Sequence, residues 1–401
     1  MGFIKFPKWA IDAITSQMAH FFWGNLGQSQ KYHLANWGLI SRKKEFGGLG
    51  VPNLREFNMA LLASWGKRFY DERDSDWKKV LKYKYNTTCP NFFNTRVVLG
   101  SPFMKSLSWA LAAAKNFYRW VPGDGNSIAF WHDIWAGDCS LKTAFWDLYS
   151  ICQQQEATLA QVWVDGELRL TFRRCVTENT LVRWEELTEI VKTVCLSDSP
   201  DQPLWMLDSS NKYSVKSFYK LINFGGIPSI IKDDIWKIKV PPNIHVFLWL
   251  IYYNKSLTRD NLAKRRHVED MSCVFCCEPE SIQHLFFDCV VAESVWSLIA
   301  DIFVIDVPNS FDQLTSFWKR RKHCEALNIV SAAALWSLWR LRNDFVFQGR
   351  RWRSIRCVLD LLGATIRQWK ILCSKVQGAL LLRCLRLLDY RRGELLRIAW
   401  S

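Results

Sequence analysis

Residues 273–289 read CVFCCEPESIQHLFFDC, with two residues between Cys273 and Cys276, seven between Cys276 and His284 and four between His284 and Cys289. Two thiolates at that spacing can close around one Zn²⁺ through a tight turn, and a following His and Cys complete a tetrahedron of sulfur and nitrogen donors. Four protein ligands leave no vacant position for water or substrate, so the pattern points to a structural zinc site and not a catalytic one. Glu278 and Glu280 fall inside the loop, yet a closed shell gives a carboxylate base nothing to activate. Cys277 adjoins Cys276 and could replace it by changing the turn; the two-residue spacing favours Cys276. So small a unit buries little apolar surface, and its folding is expected to be coupled to the metal. Ile244, Phe247, Leu248 and Trp249 upstream, with Leu285, Phe286, Val291 and Trp296 around the last ligands, supply its apolar surroundings.

Outward from this cluster, the chain has the composition of a folded protein. Of its 401 residues 49% are hydrophobic and 14% aromatic, whereas disordered tails are poor in both. Its 22 tryptophans are too many to be binding platforms; most must fill cores, with each indole N–H near a polar partner. The net charge is +15, and from Ser331 to Ser401 alone 14 Lys or Arg face four Asp or Glu, a net of +10. Such density attracts phosphate or an anionic surface, or else forms a solvated helix face. The opening MGFIKFPKWA lacks the uninterrupted apolar run of a secretory signal. The best apolar stretch, Gly378 to Leu388, is broken by Arg383 and Arg386 and too short to span hydrocarbon, so no membrane insertion is expected. Thirteen scattered cysteines, an odd number, suit a reducing, intracellular compartment in which most are small buried hydrophobes.

Periodicity predicts a mainly helical α+β protein. Ile11, Ile14, Met18, Phe21 and Phe22 mark one face of a helix over Pro7–Trp23. A second helix is expected from Leu54 to Tyr70, burying Phe57, Leu61, Leu62 and Trp65, with Asn53 and Glu56 at capping-box spacing. Between them Gly47, Gly48 and Gly50 allow a tight turn or a close chain contact; no GKS or GKT follows to make a phosphate cradle. The turn at Pro122–Asn126 leads into the alternating run Ile128, Phe130, Trp131 and Trp135, which reads as a strand, as do Leu168–Phe172 and Tyr213–Val215. Leu181–Val194, Ala332–Leu341, Ile355–Val376 and Leu380–Ile398 read as helices, the last with Leu381, Cys384, Leu385 and Leu388 on one face. Gly225–Ser229 is the clearest break in the chain. The organisation expected is a helical N-terminal region (1–90), a mixed connector (109–207), a small zinc-binding module (208–300) and a basic helical C-terminal region (325–401).

Several motifs in order resemble one family. Trp205, YSVKSFY (Tyr213–Tyr219), Trp236, KVPPNIHVFLW (Lys239–Trp249), the LT of Leu257–Thr258, the Cys, Cys, His and Cys ligands, and Ala292 to Trp296 are similar to the zinc-binding domain that follows reverse transcriptase in plant LINE-type, non-LTR retrotransposons. His33–Phe69 is similar to the region just after the polymerase palm, Gly123–Trp135 to the connector, and Leu335–Phe347 to the segment beyond the knuckle. The family's polymerase needs a Tyr-x-Asp-Asp motif that this sequence lacks, and no RNase H or endonuclease carboxylate set is evident. The resemblance therefore implies a chain starting beyond the palm: a non-catalytic, nucleic-acid-binding remnant or product of a retroelement, with a nuclear location as a corollary. Structural Zn²⁺ on Cys273, Cys276, His284 and Cys289 is the expected cofactor, and RNA or single-stranded DNA the expected partner. Phosphate contacts are expected from Arg259, Lys264, Arg265 and Arg266 beside the ligands and from Arg350, Arg351, Arg353 and Arg356 further on. The competing expectation is a zinc-stabilised structural or interaction module whose basic helices dock an acidic protein.

Overall fold

Asn53 caps the long helix Leu54–Asp71: its Oδ1 accepts the N–H groups of Arg55 at 3.1 Å and Glu56 at 3.4 Å, satisfying donors that no helical carbonyl reaches. Its own N–H donates to the Tyr219 hydroxyl at 2.9 Å and not to Glu56 as the capping-box spacing predicts. A computed structural model describes residues 1–24, 32–71, 75–85, 100–173, 178–224, 232–320, 325–349 and 352–398. The chain is mainly helical with two small two-stranded sheets among the described residues, and forms two units, 1–17 with 52–224 and 18–51 with 225–401. The break expected at Gly225–Ser229 lies outside the described residues.

In the first unit, Leu54–Asp71 packs against Pro102–Ala114, itself capped by Ser101, whose hydroxyl accepts the Met104 N–H. Phe57, Leu61 and Trp65 are only half-buried; Ala60, Leu62, Ala63 and Phe69 make the buried face, because small alanines let the two helices approach. Strand Tyr118–Val121 pairs antiparallel with Gln202–Trp205. Trp205 is fully buried among Tyr118, Tyr213 and Phe218, and its indole N–H donates to Ser217 at 2.8 Å.

Two expected strands are corrected here. Ile128 to Trp135 forms a turn with isolated bridges at Ala129 and Ile134. Phe130 N–H donates to Ala157 O, Asp133 accepts the Ala129 N–H, and Ile128, Phe130 and Trp131 are all buried, so the alternation marks a buried loop and not a half-buried sheet. Tyr213–Val215 is the entry to helix Val215–Ile222, because Ser214 caps it by accepting the Ser217 N–H. Of Leu168–Phe172 only Leu168 joins a strand, Glu167–Leu168, paired with Trp163–Val164.

In the second unit the spine is helix Glu325–Phe347, rich in Ala and Leu without Gly or Pro. Every residue from Ala326 to Leu335 is buried, the mark of a helix apolar on all sides and surrounded by others. Arg356–Trp369, Lys375–Ile398, Val290–Phe303 and Pro242–Tyr252 pack around it. The helix expected over Ile355–Val376 is two: it stops at Trp369, and Cys373 is extended before Lys375 begins the next. The break is held by Glu325, whose carboxylate accepts the Ser374 N–H at 3.0 Å and pairs with Lys239 at 2.6 Å. Leu381, Cys384, Leu385 and Leu388 form the buried face of the last helix. The glycine turn also lies in this unit. A Cβ on Gly48 would stand 1.9 Å from the Arg42 carbonyl oxygen, and the neighbouring Gly47 carbonyl accepts the indole N–H of Trp249 at 2.8 Å. Among the described residues no helix is long and apolar enough to cross a membrane.

Candidate metal centre

The sulfur atoms of Cys273, Cys276 and Cys289 and a ring nitrogen of His284 all lie within 4.8 Å of one another. Cys276 Sγ is 3.0 Å from His284 Nε2 and 3.6 Å from Cys289 Sγ; a tetrahedron with zinc–sulfur bonds of about 2.3 Å has edges of about 3.8 Å. Three thiols and an imidazole at these separations fit Zn²⁺, and none of the four is left over to hold a reactive water.

Local structure explains how 17 residues converge. Ser272 bridges Pro279 across the knuckle, Cys273 N–H donates to Glu278 O and Glu280 N–H to Met271 O, so the two arms of the loop are zipped behind the first two ligands. Phe275 N–H points at Cys273 Sγ at 3.5 Å. Cys277 takes a positive φ of 67°, is exposed and stands outside the ligand set, because it forms the bend that returns the chain and not the face toward the metal. His284 begins a π-type turn over His284–Asp288, anchored by its N–H to Ser281 Oγ at 3.0 Å. The Cys289 N–H closes that turn on His284 O at 2.8 Å, and the wider turn brings residues five apart onto one side.

Cys289 then opens helix Val290–Phe303. Its thiol is drawn down to about 5, first by the Cys273 thiol donating to it and also by the amides of Val291 and Ala292; the positive end of a helix favours a thiolate there. Cys273, as donor and buried, is pushed up. Zinc would hold all three as thiolates, so its binding must release protons.

A surrounding layer is less legible in sequence. Glu280 is 1% exposed and accepts three donors: the backbone N–H of Arg259 at 2.7 Å and two from Arg342, itself 1% exposed, at 2.7 and 3.1 Å. The Arg342 guanidinium also lies over the ring of Trp339 at 5.3 Å. Phe275, between the first two ligands, meets Trp352 at 4.9 Å and Phe345 at 6.1 Å. Trp296 donates to Phe286 O at 2.6 Å and stacks on Phe287. Upstream, buried Asn261 donates to Asn254 and Ser256 oxygens, tying the turn around Leu257 and Thr258.

The expected phosphate contacts divide in two. Lys264, Arg265 and Arg266 are exposed beside the knuckle, and Arg353 is exposed further on. Arg259 is spent internally, on the carboxylate and carbonyl of Asp270, whose carboxyl is held down to about 2 mainly by the hydroxyl and amide of Ser272. Arg265 donates to His33 O at 3.0 Å over the Tyr32 ring, Lys264 to Asn261 at 2.8 Å, and Arg356 lies 3.8 Å from Asp360, which also accepts Arg392 at 2.7 Å. Arg350 and Arg351 lie outside the described residues.

Residues 213–296 match the family described as zinc-binding in reverse transcriptase. The chain carries a zinc-binding module of that type. This module is an accessory and not a catalytic polymerase or nuclease domain. Over 375 residues the chain is 25% identical to a putative ribonuclease H protein of Arabidopsis thaliana, covering 86% of this chain and 58% of the relative, so it spans somewhat more than half of that protein's length. It is also 24% identical over 149 residues to an uncharacterized mitochondrial protein of the same plant, covering 34% of this chain and 90% of that one.

Proposed function

We propose that the chain is a non-catalytic, nucleic-acid-binding part of a retroelement protein of the plant LINE type, in which the zinc-binding module fixes a basic surface that holds single-stranded RNA or DNA. One observation carries the reading: directly before the ligands of a module shared with reverse transcriptases stand the exposed cations Lys264, Arg265 and Arg266. Exposed cations on a rigid, metal-tied support meet phosphates with little ordering cost. The naming of the longer relative for ribonuclease H fits a chain that works beside nucleic acid.

Fluorescence anisotropy with labelled single-stranded RNA, single-stranded DNA and duplex between 50 and 200 mM salt tests this. Single strands should bind, with log affinity falling against log salt by about 0.7 for each phosphate met. A folded, zinc-loaded chain that binds none of the three, or binds with no salt dependence, overturns it.

A second reading, docking of an acidic protein, is favoured by the last helix. Val376, Leu380, Leu387 and Tyr390 are exposed along one face of it, with exposed Arg383 among them and exposed Arg386 at the edge, a mixed apolar and positive face.

A further inference from the structure

We infer that the first unit holds a phosphate pocket of its own, in which Lys5, Lys8 and Arg55 seat the backbone of a single-stranded nucleic acid. The inference rests on the proposed nucleic-acid function and adds a site far in sequence from the zinc ligands. The pocket has a volume of about 400 Å³ and is lined by these three cations, by Asn58 and Trp109, and by one carboxylate among the lining residues, Asp12. Three positive charges against one in a concave site concentrate field at its centre.

The site is built and not a chance meeting of surface lysines. Asn58, 1% exposed, donates to Met1 O at 2.5 Å and Ile4 O at 2.9 Å and accepts the Phe6 N–H at 2.9 Å. Lys5 N–H donates to Ser106 Oγ at 2.8 Å, and the Trp65 indole N–H to Gly2 O at 2.7 Å. The backbone of residues 1–6 is thus pinned to helices Leu54–Asp71 and Pro102–Ala114. It presents the Lys5 ammonium over the Trp109 ring, 4.4 Å from its centroid, an arrangement that orients a cation without cancelling its charge. Arg55 has half-buried Glu56 as its chain neighbour; burial pushes that carboxyl's pKa up, against the opposing pull of the Arg55 charge. Beside Lys8 stands Trp9, 75% exposed. An indole next to a cationic pocket suits a strand whose phosphate enters the pocket while its base stacks outside, and duplex bases offer no such free face.

The test is anisotropy of fluorescein-labelled dT12 on the full zinc-loaded chain, for wild type, Lys5→Gln/Lys8→Gln/Arg55→Gln, Trp9→Ala and Lys264→Gln/Arg266→Gln, with thymidine monophosphate as competitor. The triple variant should bind at least about tenfold more weakly at 100 mM salt and lose about 0.7 of salt slope per contact removed, with unchanged circular dichroism, since the pinning bonds use backbone, Asn58, Ser106 and Trp65 and none of the three exchanged side chains. Trp9→Ala should weaken binding without changing the slope. If the triple variant unfolds, Lys8→Gln alone must still lower the slope. A folded triple variant matching wild type overturns the pocket while leaving nucleic-acid binding in place. Absence of wild-type binding to dT12 and to the matching rU12 strand overturns both, and displacement by the mononucleotide at equal phosphate concentration overturns the strand as ligand in favour of a free nucleotide.

Discussion

The guanidinium of Arg342 and the carboxylate of Glu280 form a two-pronged ion pair, sealed from water, between residues 62 apart in the chain. It joins the zinc knuckle to the spine helix of the second unit. Glu280→Gln leaves a buried cation without its counter-charge and should cost about 3–5 kcal/mol. Adding Arg342→Met should restore most of that, because Gln still accepts the Arg259 amide and Met fills the arginine's volume without charge. Urea unfolding followed by zinc release measures both; a single variant within about 1 kcal/mol of wild type would mean that water reaches the pair.

The two adjacent cysteines should behave oppositely. Cys276→Ala removes one of four ligands and should abolish stoichiometric zinc, as should Cys273→Ala and Cys289→Ala. Cys277→Gly should keep the metal and stabilise the knuckle by up to about 1 kcal/mol, because it relieves a side chain from a left-handed backbone position. Native mass spectrometry counts the zinc; its loss from the glycine variant would move the ligand assignment to Cys277.

In the first unit Asp201, buried, accepts the amides of Gly123 at 2.7 Å, Gly125 at 2.9 Å and Ser127 at 2.7 Å. Asp201→Ala should orphan all three and destabilise the unit by at least about 3 kcal/mol. Hydrogen exchange at residues 123–127 should accelerate accordingly. Protection equal to wild type would show that solvent can replace the carboxylate.

Exposed and engaged cations should separate in one experiment. Lys264→Gln/Arg266→Gln should leave zinc retention intact and lower the salt slope of single-strand binding by about 0.7 per contact. Arg259→Gln should do the reverse, easing zinc release because it frees Asp270, with little change in slope. Equal slopes for all three proteins would remove this surface from the binding site.

The parts of the fold legible from sequence are those that local chemistry determines. Ligand spacing, the Asn53 cap, the close approach at Gly48 and the buried face of Leu381, Cys384, Leu385 and Leu388 each depend on neighbours within a few residues. Ile128–Trp135 misled because alternation of large apolar residues arises equally in a loop buried on every side. Glu280 read as an idle carboxylate because its partner is a distant arginine that the fold alone supplies. The division of Arg259 from Lys264 and Arg266 was hidden likewise, since charge patterning does not say which cation the fold pairs with a carboxylate.

The four ligands lie within one short stretch, whereas Arg342 is made 53 residues after Cys289. At about 5–20 residues per second a ribosome needs roughly 3–10 s to cover that distance. During synthesis the knuckle can therefore capture its ion while Glu280 is still hydrated, and the carboxylate loses its water only when the spine helix arrives. Metal first and burial second is the cheaper order, because the charge is never buried alone. A ribosome-stalled chain whose residues up to about 310 have emerged from the exit tunnel, the tunnel being filled by an appended linker, should already retain zinc yet leave Glu280 open to carbodiimide labelling, which the finished chain resists.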